Sequence, residues 1–172
     1  FLKDHPDDDL RRLELSESLR ALGRSNEAMS QIRLVLDAKK RSVVDGAFRQ
    51  YLVKSRASKA MFDTAADAWA TAEEADKSGH LKVAQEARDL LVEMLQGDDT
   101  QSMIVEADGR IAFMNGDMRL AASKLEKVVK GGSVRPLILR IDAAALEAIG
   151  QPGLAVDRLV AAVGRRPGSI TN

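Results

Sequence analysis

Only two histidines, His5 and His80, are present to act as general bases or metal ligands in this 172-residue chain, and there is no cysteine. A zinc site would need His, Cys or carboxylate ligands clustered at helix spacing. The two histidines read instead as surface residues, each in a predicted turn. The missing cysteines remove disulfides, thiolate metal sites and cysteine nucleophiles, and leave the redox compartment open. Asp7, Asp8 and Asp9 form the densest run of carboxylates near one end. A calcium loop would need alternating ligands, a central glycine and a later Glu. That spacing is absent, so the aspartates read as caps meeting the free N–H groups and dipole of a first helix. The text KGGSVR at residues 130–135 has glycines beside a lysine. It lacks the phosphate-loop spacing and a preceding strand, and reads as a connection between helices. No nucleophile, base and orienting acid fall into a suggestive order. The expectation is a non-catalytic chain with no metal and no cofactor.

The elements around these residues are helical. Apolar residues make up 45% of the chain but aromatics only 3%. Alanine supplies much of the apolar share and favours helices whose backbones pack closely. Four prolines and the lack of strand alternation point the same way. Formal net charge is +0, so no overall excess favours nucleic acid or an anionic membrane. No apolar run approaches the roughly 18 residues of a membrane span. Cytoplasmic and extracytoplasmic settings are both compatible with this composition.

The strongest signal is an internal repeat. Gly116, Ala121 and Leu125 recur 34 positions later as Gly150, Ala155 and Leu159. Each unit reads as a helix, a turn after glycine, then a second helix with alanine where the two backbones cross. Leu139, Ala143, Leu146, Gly150, Ala155, Leu159, Ala162 and Pro167 define the last unit. Ser16, Leu19, Gly23, Ala28, Ile32 and Val35 define the first. Gly109, Gly116, Ala121, Leu125 and Val128 mark the third. Trp69, Ala72, Ala75, Gly79, Ala84 and Leu91 mark a weaker second unit, with Arg88 where a large apolar residue is usual.

A 34-residue helix-turn-helix period with these positions resembles the tetratricopeptide repeat family. The resemblance implies an all-α, right-handed superhelical solenoid of stacked antiparallel helix pairs. It places repeats at about 9–38, 65–98, 102–133 and 136–169, within a single repeat domain over residues 1–172. Both chain ends read as cut from a longer array. The text between the first and second units, residues 39–59, holds only one glycine, Gly46, and no proline. Val43, Val44, Ala47, Phe48, Tyr51 and Leu52 recur there at helical spacing. This predicts either an extra helix or, preferred because it keeps the up-down phase, a continuation of the preceding helix through Arg41 towards Val53.

In the family, stacked pairs form a curved surface, and the first helix of each pair lines its concave side, where protein segments bind. The resemblance therefore implies a protein-interaction scaffold. Its groove positions map to Trp69, Glu73 and Asp76, then Glu106, Arg110 and Phe113, then Arg140 and Glu147. Trp69 and Phe113 also fit packing positions of their own repeats. The competing reading is a helical regulatory or linker segment of a larger multidomain enzyme. Some relatives clamp a C-terminal carboxylate with Lys and Asn, but Asn26, Asn115 and Asn172 fall at none of the clamp positions. Charge is banded along the chain: residues 37–62 carry net +5, residues 63–109 net −9, and residues 110–172 net +5. Such banding offers either ordinary solvated faces or a pattern that selects a complementary partner. The acidic middle argues against nucleic acid.

Overall fold

A computed structural model describes residues 8–37, 47–94, 98–132 and 135–164. Eight helices, and no strand, occur among the described residues. They are α1 (Asp9–Ala21), α2 (Ser25–Asp37), α3 (Ala47–Thr71), α4 (Glu74–Met94), α5 (Asp98–Met114), α6 (Met118–Lys130), α7 (Pro136–Ala148) and α8 (Pro152–Gly164). They pack as the antiparallel pairs α1–α2, α3–α4, α5–α6 and α7–α8. The chain forms two compact units, Phe1–Gln96 and Gly97–Asn172.

Three of the four pairs turn in the same way. Gly23, Gly116 and Gly150 take φ of 73°, 79° and 80°, the left-handed region that a side chain would strain. After each glycine, the next N–H reaches back five residues: Arg24 to the Leu19 carbonyl, Asp117 to Ala112 and Gln151 to Leu146, each at 2.9 Å. This bonding satisfies the carbonyls that the helix end leaves open. The N-termini are closed by side chains where aspartate precedes them. Asp8 accepts from the Arg11 N–H at 3.1 Å, and Asp117 accepts from the Leu120 N–H at 3.0 Å. The expected cap at the first helix is therefore made by Asp8.

The repeated alanines lie where helices cross. Ala28, Ala84 and Ala121 are fully buried, and Ala155 is nearly so. In the second unit, Gly109 of α5 faces Leu125 of α6 so closely that a Cβ on the glycine would stand 2.7 Å from Leu125 Cδ2. Ala112, Ala121, Ala122, Ala143, Ala145, Leu146 and Ala155 form one core cluster, and Leu125, Val128, Ile138, Leu139 and Ala162 form another. α7 thus covers α6. Leu159 stands 34 positions after the fully buried Leu125, yet is 46% exposed. Its neighbours Val156, Val160 and Val163 on α8 are also exposed, since nothing among the described residues covers α8 as α7 covers α6.

A polar tie recurs three residues after three of the alanines. Gln31 accepts from Arg12 at 3.0 Å, Lys124 meets Asp108 at 3.2 Å, and Arg158 meets Asp142 at 2.7 Å. The last two pairs are the same interaction 34 residues apart, crossing α5–α6 and α7–α8. Asp142 is fully buried, and its second carboxylate oxygen has no hydrogen-bond partner among the described residues. Burial raises the Asp142 carboxyl above its ordinary range, against the lowering pull of Arg158.

The second pair departs from this frame and corrects two expectations. Residues 47–59 do not form a separate helix, and the expected continuation of α2 through Arg41 falls on residues outside the described ones, α2 being described as far as Asp37. Residues 47–59 are the first half of α3, a 25-residue helix that runs without glycine or proline through Trp69 to Thr71. Residues 38–46, including Val43, Val44 and Gly46, lie outside the described residues, as does His5. The turn into α4 falls at Ala72 and Glu73, not at Gly79. Gly79 and His80 lie inside the 21-residue α4. A lone glycine within a helix costs only about 1 kcal/mol relative to alanine, which the length of α4 tolerates. Glu74 and Asp76 occupy the first turn of α4, where carboxylates meet the positive end of the helix dipole.

Candidate functional site

The first unit contains a cleft of about 470 Å³ where α2 and the start of α4 flank α3. That volume falls in the roughly 300–1,000 Å³ range of small-ligand pockets. Its walls follow from the helix starts on either side. The Gly23 turn sends the chain directly into α2, so Ser25 and Asn26 of its first turn, then Met29, face the cleft. α3 supplies Thr64, Ala65 and Ala68, whose small side chains leave the space open. α4 supplies Asp76, Gly79, His80 and Val83 at spacings of three, one and three, which lie along one helical face.

Ion pairs hold the surrounding helices. Arg20 of α1 bonds Asp67 of α3 at 3.0 Å, and Arg33 of α2 meets Glu86 of α4 at 3.6 Å. At the start of α2, Arg24 bonds Glu27 through both carboxylate oxygens, and this hydrogen bonding lowers the Glu27 carboxyl below its usual range. The cleft's own polar groups are not used in this way. Asp76, His80, Ser25 and Asn26 have no side-chain hydrogen bond or ion pair among the described residues. Thr64 donates to the Ala60 carbonyl at 2.8 Å within its own helix. A Cβ placed on Gly79 would meet no atom within 4 Å. The arrangement therefore offers a carboxylate, an imidazole, an amide and a hydroxyl around an apolar floor, without a nucleophile activated by a base.

The groove residues mapped from the sequence fall into separate places. Trp69 is half-buried near the end of α3, with the Lys77 ammonium 5.1 Å from the centre of its ring. Glu73 and Asp76 are exposed just after it, and Asp76 alone of the mapped residues lines the cleft. In the second unit Arg110 is 3% exposed and pairs with Glu106 at 3.7 Å. Arg135 at the start of α7 also bonds Glu106. Phe113 is half-buried against the alanine-rich core cluster. Arg140 and Glu147 are exposed on α7. The sequence reading missed Ser25, Asn26, Met29, Thr64, Ala65, Ala68, Gly79, His80 and Val83 as cleft residues. Only the acidic first turn of α4 could have signalled that Gly79 and His80 belong to a helix face.

Among the described residues, no group of three or more His, Cys, Asp or Glu side chains is arranged to hold a metal ion. No helix among them is long and apolar enough to cross a membrane. No family model matches the chain, and neither the curated proteins nor the solved structures provide a significant match.

Proposed function

We propose that the chain is a non-catalytic scaffold of tetratricopeptide type, with residues 1–172 forming one repeat array that binds a protein or peptide segment. In this reading the pairs stack into a right-handed superhelix, and its first helices line a concave binding side. One observation carries it: the hairpins α5–α6 and α7–α8 repeat in turn, crossing and ion pair at a spacing of 34 residues. Modules that repeat their internal contacts are built to extend a surface rather than to enclose a reaction centre.

Arg140 and Glu147 are the mapped groove positions to test first, because both are exposed and seven residues apart on α7. Full-length chain on a solid support is exposed to cell extract beside an Arg140→Glu, Glu147→Lys double variant and an unrelated all-helical control. A protein retained by the wild type and lost by the folded double variant is the expected result. Equal retention moves the binding side away from α7. Retention no greater than the control's overturns the scaffold reading.

A further inference from the structure

We propose that the α2–α3–α4 cleft seats a lysine or arginine side chain from a basic segment of a partner protein. This rests on the scaffold reading and adds to it a specific pocket, away from the mapped concave positions apart from Asp76. The charge of the cleft selects a cation. Asp76 is the only lining carboxylate, no lysine or arginine lines the cleft, and Asp76 has no ion pair among the described residues. The surrounding residues 63–93 hold eight acidic and three basic side chains. The pairs Arg20–Asp67, Arg33–Glu86, Lys77–Glu74 and Lys59–Asp63 engage neighbouring charges of both signs and leave Asp76 outside them. The N-termini of α2 and α4 would favour an anion, but Glu27, Glu74 and Asp76 already occupy those first turns. That leaves the Asp76 carboxylate as the charge lining the cleft.

The shape of the cleft suits the same occupant. Lysine and arginine lay an apolar stem along apolar surface and keep the charged head among polar groups. Met29, Ala65, Ala68 and Val83 offer that surface, and Asp76, Asn26 and Ser25 offer oxygens for the head. Gly79 supplies the room. Its φ is not in the left-handed region and nothing packs against it, so neither the backbone nor the core requires glycine there. A missing side chain on a helix facing an open cleft leaves the space that a stem from outside would fill.

The test is an amide-resolved NMR titration of the full chain with five-residue blocked peptides differing only at the central residue. Peptides centred on lysine and arginine should move the Asn26, Ala65, Gly79 and His80 signals saturably, while norleucine and glutamate peptides should not. Asp76→Asn should weaken the lysine peptide at least fivefold. Gly79→Leu should abolish binding without lowering the melting temperature, which separates a filled cleft from a damaged fold. Three results overturn the inference: norleucine binding as well as lysine, an unchanged Asp76→Asn, or no response to any peptide. Equal binding of spermidine would assign the cleft to free polyamines instead of a protein segment. The Arg140 and Glu147 comparison does not involve this cleft, so the scaffold reading survives or fails separately.

Discussion

Replacing Gly109 and Gly79 by alanine, one at a time, should move stability in opposite directions. Both glycines lie inside helices at ordinary helical φ, so both changes gain helix propensity worth about 1 kcal/mol. At Gly79 the new methyl meets nothing within 4 Å, and the gain should stand at about 0.5–1 kcal/mol. At Gly109 the new methyl would lie 2.7 and 2.8 Å from Leu125 Cδ2 and Cγ, and 3.2 Å from Lys124 Cβ. Carbon atoms pack best at about 3.5–4.0 Å, so Leu125 must withdraw by nearly an ångström. It cannot do so freely, because it is fully buried and two of its carbons are involved. Overpacking of this kind costs about 1–3 kcal/mol. Set against the propensity gain, the net effect is a loss of up to about 2 kcal/mol, at roughly 2–4 °C per kcal/mol for a chain of this length. Thermal unfolding of the full chain by far-ultraviolet circular dichroism reads the shift, and amide exchange in α5 and α6 assigns it. A Gly109→Ala variant as stable as Gly79→Ala would mean that α5 and α6 do not approach as closely as described.

Three further outcomes follow from the same helices. Ala121→Leu should cost about 1–3 kcal/mol, since Ala121 is fully buried at the α5–α6 crossing, and an unchanged melting curve would remove that crossing. Arg158→Met should cost about 3 kcal/mol near neutral pH by leaving the Asp142 carboxylate buried without its partner. Adding Asp142→Leu should restore most of that loss, whereas additive losses would show that the two side chains act independently. Because burial raises the Asp142 carboxyl, the folded chain binds that proton more tightly than the unfolded chain. The site's contribution to stability therefore rises as pH falls from the raised value towards the ordinary carboxylate range. Melting temperatures of wild type and Asp142→Asn at about pH 7 and about pH 4, the ordinary carboxylate range, check the sign. The wild type should gain relative to the variant on acidification, and an equal change in both would refute the assignment.

What the sequence disclosed depended on whether the cause was local. The turns at Gly23, Gly116 and Gly150 were legible because a left-handed backbone asks for glycine at one position. The alanines at 28, 121 and 155 were legible because close crossings ask for a small side chain. The second pair was not, because its turn at Ala72 and Glu73 contains no glycine or proline, while Gly79 offered a false one. The long α3 was hidden for the converse reason: residues 47–71 contain no breaker, and the period alone does not say where an unbroken helix belongs. Arg110 looked like a groove residue by position, and only the geometry of α5 shows it buried beside Glu106. The cleft has no linear motif at all, because three helices contribute to it from positions 25 to 83.

The ion pairs Asp108–Lys124 and Asp142–Arg158 have a consequence for partner exchange. A hairpin slipped by one turn would leave the fully buried Asp142 or the partly buried Asp108 unmatched, so each pair penalises wrong register. Yet both hairpins set a carboxylate of the first helix against a cation of the second, so Asp108 would meet a cation in Arg158 as well. The charges thus say where along a neighbour a helix must sit, but not which neighbour it is. That second choice falls to the tight turns at 115–117 and 149–151, which hold the proper mate at high effective concentration. Lengthening either turn with flexible residues would weaken that advantage while keeping every charge in place. Helices would then be free to trade between molecules, and swapped dimers would grow with protein concentration.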